Sequence, residues 1–230
     1  NRIDALKGIE VAGDVLRIGA LTRHAELERS PLVAEHAPLL RDAIRHVAHP
    51  AVRNRGTIGG SVSLADPAAE LPACILVLGG TMVLRGKQGQ RRVAAKDFFV
   101  DLYETARADD ELLEAVEVPV ATKTSRHGFA EVARRHGDFA MVGVASWAEM
   151  DGETVSALRL GFFGTGNTPV LSSAAGQAAG RPLSPESIET LAKAAAEELD
   201  PNEDLQSNGH EEASRFRTHR SGPSRHDGVT

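Results

Sequence analysis

The sequence has little of what metal-binding and most catalytic chemistry needs. Its 230 residues include one cysteine, so the chain holds no internal disulfide, cysteine zinc site or iron–sulfur cluster of its own. That residue, Cys74, lies in an apolar run, where we predict a buried and inert thiol. The nine histidines include no H-E-x-x-H pair. We therefore predict no protein metal site and no catalytic side chains.

Basic charge and long apolar runs are also scarce. The formal net charge of −6 offers no surplus of Lys and Arg to neutralise phosphates, which argues against a general nucleic-acid binder. No uninterrupted apolar segment reaches the roughly 18 residues that span a bilayer, so we predict no membrane span. The N-terminus lacks the apolar segment of a signal peptide, and a cytoplasmic location is the resulting expectation.

The patterns that are present predict an α+β fold built from hairpins rather than from regular βαβ alternation. The predicted strands are residues 15–20, 81–85, 91–94, 112–118, 129–135, 142–150 and 155–163. The predicted helices are residues 22–29 with Thr22 as N-cap, 38–47, 67–78 with a kink or break at Pro72, and 185–199 with Ser184 as N-cap. Asp151-Gly152 predicts a hairpin turn. Residues 201–230 contain almost no aliphatic residues and are predicted to be disordered.

The stretch 56-GTIGGSVSLADPAAELPA-73 places three glycines just before two carboxylates, Asp66 and Glu70. Glycines let backbone N–H groups approach a phosphate, and Thr57 adds a hydroxyl donor. The alternative is a structural turn that needs positive φ. The stretch is no dinucleotide-binding G-x-G-x-x-G turn, and the run from Gly80 to Lys87 is no phosphate-binding Walker loop.

The order of residues in this stretch resembles the second flavin-binding motif of the FAD-binding medium subunits of molybdenum hydroxylases. That family includes the medium subunit of aerobic carbon monoxide dehydrogenase and the flavin domain of xanthine dehydrogenase. Four other segments are similar in order and spacing: 16-LRIGALTRHAEL-27, 111-ELLEAVEVP-119, 129-FAEVARRHGDFAMVGVA-145 and 161-GFFGTGNTPV-170. The resemblance covers roughly residues 1 to 200.

The resemblance implies a domain organisation. Residues 1–121 would be the second part of a two-subdomain FAD-binding domain of the PCMH type, whose N-terminal portion, with another glycine-rich motif, is missing here. Residues 122–200 would be the smaller α+β C-terminal domain of the carbon monoxide dehydrogenase flavoprotein type. The tail departs from the family, which usually carries a basic helix there.

The resemblance also implies the residues that bind FAD. Backbone amides of the motif would hold the pyrophosphate, and these belong to Thr57, Ile58, Gly59, Gly60 and Ser61. Glu70 falls where the family has an acidic residue that bonds a hydroxyl-bearing part of FAD. Asp66 either joins it or caps the helix predicted to start at Pro67. Leu113 matches a position whose backbone touches the flavin nucleotide, and it also fits a core strand position. Phe139 replaces a Tyr common near the flavin ring.

The implied function is an FAD-carrying electron-transfer subunit of an oxidoreductase. Its partners would be a molybdopterin-containing large subunit and a [2Fe-2S] small subunit, and its electron acceptor NAD, a quinone or oxygen. One alternative is a structural or interaction module that keeps the scaffold without binding FAD. Another is a stand-alone binder of a phosphate ligand, which leaves the long match unexplained.

Overall fold

The computed structural model describes residues 3–199, which form two main antiparallel sheets with helices packed on and between them. The strands are β1 (Ile9–Ala12), β2 (Val15–Gly19), β3 (Thr81–Gly86), β4 (Gly89–Ala94), β5 (Phe99–Asp101), β6 (Glu104–Thr105), β7 (Leu112–Pro119), β8 (Ser125–Val132), β9 (Val142–Asp151), β10 (Thr154–Phe163), β11 (Val170–Leu171) and β12 (Arg181–Pro182). The helices are α1 (His24–Arg29), α2 (Pro31–His36), α3 (Pro38–Ile44), α4 (Pro50–Arg53), α5 (Ile58–Leu64), α6 (Glu70–Leu78) and α7 (Pro185–Glu197). The predicted α+β class is confirmed. The tail at 201–230 lies outside the described residues.

The first sheet has the strand order β1-β2-β7-β3-β4, and every neighbouring pair is antiparallel. Alternate residues of β2 point to opposite faces, so Leu16 and Ile18 are fully buried while Arg17 between them is not. The buried face packs against the helices that connect β2 to β3, and together they form the main core.

The opposite face of this sheet carries an ion-pair network. Arg17 donates from Nη1 to Oε1 of Glu117 at 2.8 Å and from Nη2 to Oε1 of Glu114 at 2.7 Å. Arg92 on β4 pairs with Glu117 as well, and Arg85 on β3 pairs with Glu114. Glu117 is only 5% exposed, and its charge is tolerated because two guanidinium groups face it.

Helix α6 lies between the two sheets, and all nine of its residues are buried. Its contact with β10 is close, since a Cβ added to Gly161 would lie 2.4 Å from Cγ2 of Val77. The helix begins at Glu70, so the predicted start at Pro67 is wrong. Pro72 is then the third helical residue, where the missing N–H has no intrahelical acceptor to lose. The predicted kink or break at Pro72 is therefore wrong as well.

Three other predicted boundaries differ from the structure. Arg23 rather than Thr22 precedes α1, because the Thr22 hydroxyl bonds the backbone of Gly8 instead. Helix α3 ends at Ile44, and the separate helix α4 begins at Pro50. Strand β8 covers Ser125–Val132 rather than 129–135, since its polar first half pairs with β9 at the sheet edge.

The second sheet has the order β11-β10-β9-β8, and β12 pairs with the other end of β10. The predicted turn at Asp151-Gly152 is confirmed: Gly152 has φ +59° between the paired ends of β9 and β10. Helix α7 begins as predicted, with the Ser184 hydroxyl accepting from the Ser187 amide at 3.1 Å. Its residues Leu191 and Ala195 pack with Ala174 and Ala178, which lie against β10, and together they form a second, smaller core.

Candidate functional site

The glycine stretch forms a helix rather than a loop. Helix α5 begins at Ile58, and Thr57 is its N-cap, with Oγ1 accepting from the Gly60 amide at 3.1 Å. The cap leaves the proton of the Thr57 hydroxyl free to be donated elsewhere. Gly59 and Gly60 therefore lie in the first turn of a seven-residue helix.

Four of the five amides predicted to hold a pyrophosphate already have acceptors within the protein. The Gly60 and Ser61 amides donate to Oγ1 and to the carbonyl of Thr57, each at 3.1 Å. The Ile58 amide donates to the Thr22 carbonyl at 3.0 Å, and the Gly59 amide donates to the Ala20 carbonyl at 2.8 Å. These bonds fix α5 to the segment that follows β2. A ligand at this helix therefore meets the hydroxyls of Thr57 and Ser61 and the exposed surface of Gly60, rather than free amides of residues 58–61.

Gly60 offers the open approach that a phosphate cradle needs. It is exposed, and a Cβ added to it would lie 3.1 Å from Oγ1 of Thr57, with no other heavy atom within 4 Å outside its own helix backbone. Ser61 beside it is half-buried. The absent side chain at Gly60 keeps this surface free for a ligand group to reach the backbone. The residues present therefore fit the phosphate part of FAD at Thr57, Gly60 and Ser61.

Leu113 is brought close to this helix through Ala20. The Ala20 carbonyl accepts from Gly59, while the Ala20 amide donates to the carbonyl of Glu114, the residue after Leu113. The Leu113 side chain is 6% exposed, and its strand position pairs with Leu84. Leu113 is thus a core residue, as one of the two predictions for it stated. The carbonyl that accepts from the Ala20 amide belongs to the next residue, Glu114.

Asp66 lies beyond the C-terminal end of α5, about 10 Å along the helix from Thr57. Its Oδ1 accepts from the Ala68 amide at 2.9 Å, and its Oδ2 accepts from the Tyr103 hydroxyl at 3.2 Å. The alternative that Asp66 caps a helix starting at Pro67 is wrong, because no helix begins there. Asp66 instead orders the turn between α5 and α6 and ties it to the β5–β6 loop.

Glu70 begins α6 and is 4% exposed. Burial, together with the nearby charges of Glu131 and Asp66, raises the pKa of its carboxyl from 4.5 to about 7 against an opposing backbone hydrogen bond. At neutral pH this carboxyl is shared between its acid and its carboxylate. It can therefore donate or accept a hydrogen bond to a ligand hydroxyl.

A cluster of titratable side chains that the sequence did not predict lies beside Glu70. Oε1 of Glu131 lies 3.0 Å from Nδ1 of His46, and the His46 ring centroid lies 6.2 Å from that of His136. Burial raises the pKa of Glu131, while His46 and His136 lower it. Glu131 shares a strand face with Phe129 by the two-residue period, and that period is the signal that predicts an inward carboxylate.

His24 lies beneath the start of the motif and was also missed. It is 5% exposed, and a Cβ added to Gly56 would lie 3.0 Å from its Nδ1. Burial lowers the pKa of His24, which keeps the ring neutral. The glycine at 56 therefore makes room for this ring under the loop that leads to Thr57.

Residues 3–199 hold neither a candidate metal site nor a candidate membrane span. No cluster of three or more His, Cys, Asp or Glu side chains in that range is placed to bind a metal ion. Cys74 is fully buried, as predicted, and burial raises the pKa of its thiol. No helix in the same range is both long and apolar enough to cross a bilayer. The cytoplasmic location stays a prediction.

Two known protein families match this fold and this motif. Residues 1–121 match the FAD binding domain in molybdopterin dehydrogenase, and residues 127–212 match the CO dehydrogenase flavoprotein C-terminal domain. The fold and the motif thus define a flavoprotein component of an oxidoreductase. The chain belongs to the family of FAD-binding medium subunits of molybdenum hydroxylases, and the predicted family and cofactor FAD are confirmed.

Two curated relatives show the extent of the similarity. The chain is 37% identical over 203 residues to the 6-hydroxypseudooxynicotine dehydrogenase complex subunit alpha of Paenarthrobacter nicotinovorans, covering 87% of this chain and 69% of that protein. It is 33% identical over 206 residues to the carbon monoxide dehydrogenase medium chain of Hydrogenophaga pseudoflava, covering 89% and 72%. Both relatives are named as parts of dehydrogenases, in agreement with the predicted oxidoreductase class.

Two solved structures of related enzymes share this fold. Carbon monoxide dehydrogenase from Hydrogenophaga pseudoflava, in a form that lacks the Mo-pyranopterin moiety, superposes with a TM-score of 0.90 at 32% identity, covering 94% of this chain and 76% of that one. Quinoline 2-oxidoreductase from Pseudomonas putida 86 superposes with a TM-score of 0.88 at 33% identity, covering 94% and 75%.

Proposed function

We propose that this chain is the FAD-carrying electron-transfer subunit of a molybdenum hydroxylase complex. In this proposal its partners are a molybdopterin-containing large subunit and a [2Fe-2S] small subunit. The FAD held by this chain would receive electrons from the iron–sulfur clusters of the small subunit, and the acceptor would be NAD, a quinone or oxygen. The named roles of the relatives as medium chains and complex subunits support the proposal.

The observation that carries the proposal is the open surface at Gly60 on a helix capped by Thr57. The Thr57 hydroxyl accepts from the Gly60 amide, and its own proton would be available to a phosphate oxygen of FAD. Ser61 adds a second hydroxyl on the following residue. Together these groups bind and orient the phosphate part of FAD.

The other predicted residues have distinct tasks in this proposal. Glu70 and Asp66 accept hydrogen bonds from ligand hydroxyls, and the backbone at Leu113 contacts the nucleotide. Burial of Glu70 excludes water from its carboxyl and holds a proton there near neutral pH. The bound flavin supplies the redox chemistry, since its ring system accepts and releases electrons. The chain needs no nucleophile for this function.

The domain assignment is part of the same proposal. We assign residues 1–121 to the FAD-binding domain and residues 122–200 to the flavoprotein C-terminal domain. The segment between Pro119, where β7 ends, and Ser125, where β8 begins, supports a boundary there. The tail at 201–230 is proposed to lie outside both domains.

A titration with FAD tests the proposal. FAD is added to the purified subunit, alone and in its complex with the large and small subunits, and binding is followed by the visible absorbance of the flavin. Gly60→Val fills the open surface and is expected to abolish FAD retention while thermal unfolding stays close to that of the unmodified chain. Gly176→Val is the matched control, because a Cβ added to Gly176 meets nothing within 4 Å and Gly176 lies outside the glycine motif.

Unchanged FAD affinity in Gly60→Val would contradict the assignment of this surface to the phosphates. Absence of FAD from both the subunit and the complex would favour the alternative, a scaffold module that binds no flavin.

A further inference from the structure

A second cavity lies away from the glycine motif, where the chain passes from the first sheet to the second. Its volume is about 130 Å³. Its walls include apolar side chains of α3, α6 and the connecting segment, together with an aromatic residue and an arginine on neighbouring strands of the second sheet: Leu39, Leu78, Val120, Trp147 and Arg159. A mostly apolar cavity with a few polar or charged groups in its walls is the usual form of a small-ligand site.

Arg159 has no carboxylate counterion in the part of the chain that the structure describes. Its guanidinium carbon lies 4.1 Å from the centroid of the Trp147 ring, and burial lowers its pKa. Stacking on an aromatic ring offsets only part of the free energy lost when a cation leaves water. The half-buried guanidinium of Arg159 is therefore suited to an anion that comes from outside.

The backbone makes room for this guanidinium. A Cβ added to Gly79 would lie 2.4 Å from Nη1 of Arg159, and Gly79 has φ +71° at the end of α6. Any other residue at position 79 would displace the Arg159 side chain from its place over Trp147.

The rest of the charge around the cavity does not neutralise Arg159. Arg126 lines the same cavity and donates to the carbonyls of Lys123 and Ser125 rather than to a carboxylate. His127 also lines the cavity, and its Nε2 lies 3.0 Å from Oδ2 of Asp42, so that carboxylate is already engaged. The cavity therefore has an excess of positive charge beside apolar walls.

We propose that this cavity binds a small organic carboxylate, with its apolar body against Trp147, Leu39 and Leu78 and its carboxylate paired with Arg159. A guanidinium presents two parallel N–H donors that match the two oxygens of a carboxylate. The volume is close to the roughly 150 Å³ of an apolar cavity known to hold benzene. The site is separate from the proposed FAD site and does not depend on it.

The chain contains one tryptophan, Trp147, so its intrinsic fluorescence reports directly on this cavity. Benzoate is titrated into the purified chain, and a saturable change in Trp147 fluorescence with one site per chain is expected. Benzyl alcohol, of the same size without the charge, is expected to give no saturable change. Isothermal titration calorimetry checks the stoichiometry independently of the fluorophore.

Substitutions of Arg159 test whether the response to benzoate arises in this cavity. Arg159→Gln is expected to weaken benzoate binding by at least about tenfold, because it removes a charge-assisted hydrogen bond to the ligand. Arg159→Lys keeps the positive charge but loses the pair of parallel N–H donors. Its affinity for benzoate should lie between that of Arg159→Gln and that of the unmodified chain. Arg181→Gln removes an arginine that does not line this cavity, and it is expected to bind benzoate as the unmodified chain does.

Three results would overturn the proposal: no saturable response to benzoate, an equal response to benzyl alcohol, or unchanged benzoate affinity in Arg159→Gln. The comparison of benzoate with benzyl alcohol needs no variant, so the test stands even where Arg159→Gln fails to fold.

Discussion

Gly59 packs directly on Ala20: a Cβ added to Gly59 would lie 2.5 Å from the Ala20 Cβ and 2.6 Å from the Ala20 carbonyl oxygen. The two neighbouring glycines of the motif therefore have different structural roles. Gly59 lets α5 lie against the segment after β2, and its amide bonds the Ala20 carbonyl. Gly60 is exposed and keeps the outer surface open.

This difference predicts that two single substitutions change the free energy of unfolding by different amounts. Gly59→Ala forces α5 away from Ala20 and is expected to lower the free energy of unfolding by about 1–3 kcal/mol, as overpacking does. Gly60→Ala meets only the Thr57 hydroxyl and is expected to change it by less than about 1 kcal/mol. Urea unfolding of both variants measures the difference. Equal losses in the two variants would show that Gly59 has no special packing role.

The cap of α5 gives a second prediction. Thr57→Ala removes the acceptor of the Gly60 amide and is expected to lower the free energy of unfolding by about 1 kcal/mol. Thr57→Ser keeps the hydroxyl and is expected to restore most of that loss, as thermal or urea unfolding will show. A Thr57→Ser variant as unstable as Thr57→Ala would mean that the Thr57 methyl group, rather than the cap, stabilises this helix.

The sequence predicted the sheets better than the helices around the motif. Strands such as β7 and β10 follow from runs of buried apolar residues, and the hairpin at Gly152 follows from turn chemistry. Helix α5 was missed because glycine has a low helix propensity. Its stability comes from the Thr57 cap and from bonds to Ala20 and Thr22, which are remote in sequence.

The end of α3 was missed for a similar reason. The apolar spacing continues to Val47, but the helix stops at Ile44. Arg53 is 7% exposed and donates from Nη1 to the carbonyls of Val47 and Ala48 at 3.0 and 2.7 Å, which holds the chain in a turn. A local pattern carries no sign of such a bond from outside the predicted helix.

The candidate site was predictable only in part. The motif supplied Thr57, Gly60 and Glu70, while the partners Tyr103 and Glu131 come from distant strands and loops. Which of the two glycines packs on Ala20 depends on tertiary structure. The sequence therefore could not separate Gly59 from Gly60.

The buried carboxyl of Glu70 predicts a dependence of stability on pH. Its pKa is raised in the folded chain to about 7 from 4.5, so between these values the folded state holds a proton that the unfolded state has released. The contribution of the Glu70 carboxyl to the free energy of unfolding is therefore fully present at pH 4 and is lost as the pH rises through 7. The difference between the two pKa values corresponds to at most about 3 kcal/mol.

Glu70→Gln stays neutral at every pH and is expected to remove this loss. The variant should be more stable than the unmodified chain at pH 8 by up to about 3 kcal/mol, and the gain should vanish near pH 4. Urea unfolding of the FAD-free chain at several pH values measures the gain, with Glu153→Gln in the exposed β9–β10 turn as the matched control. A gain that stays the same from pH 4 to pH 8 would show that Glu70 is not the buried acid that the structure describes, because only a titrating carboxyl makes the difference depend on pH.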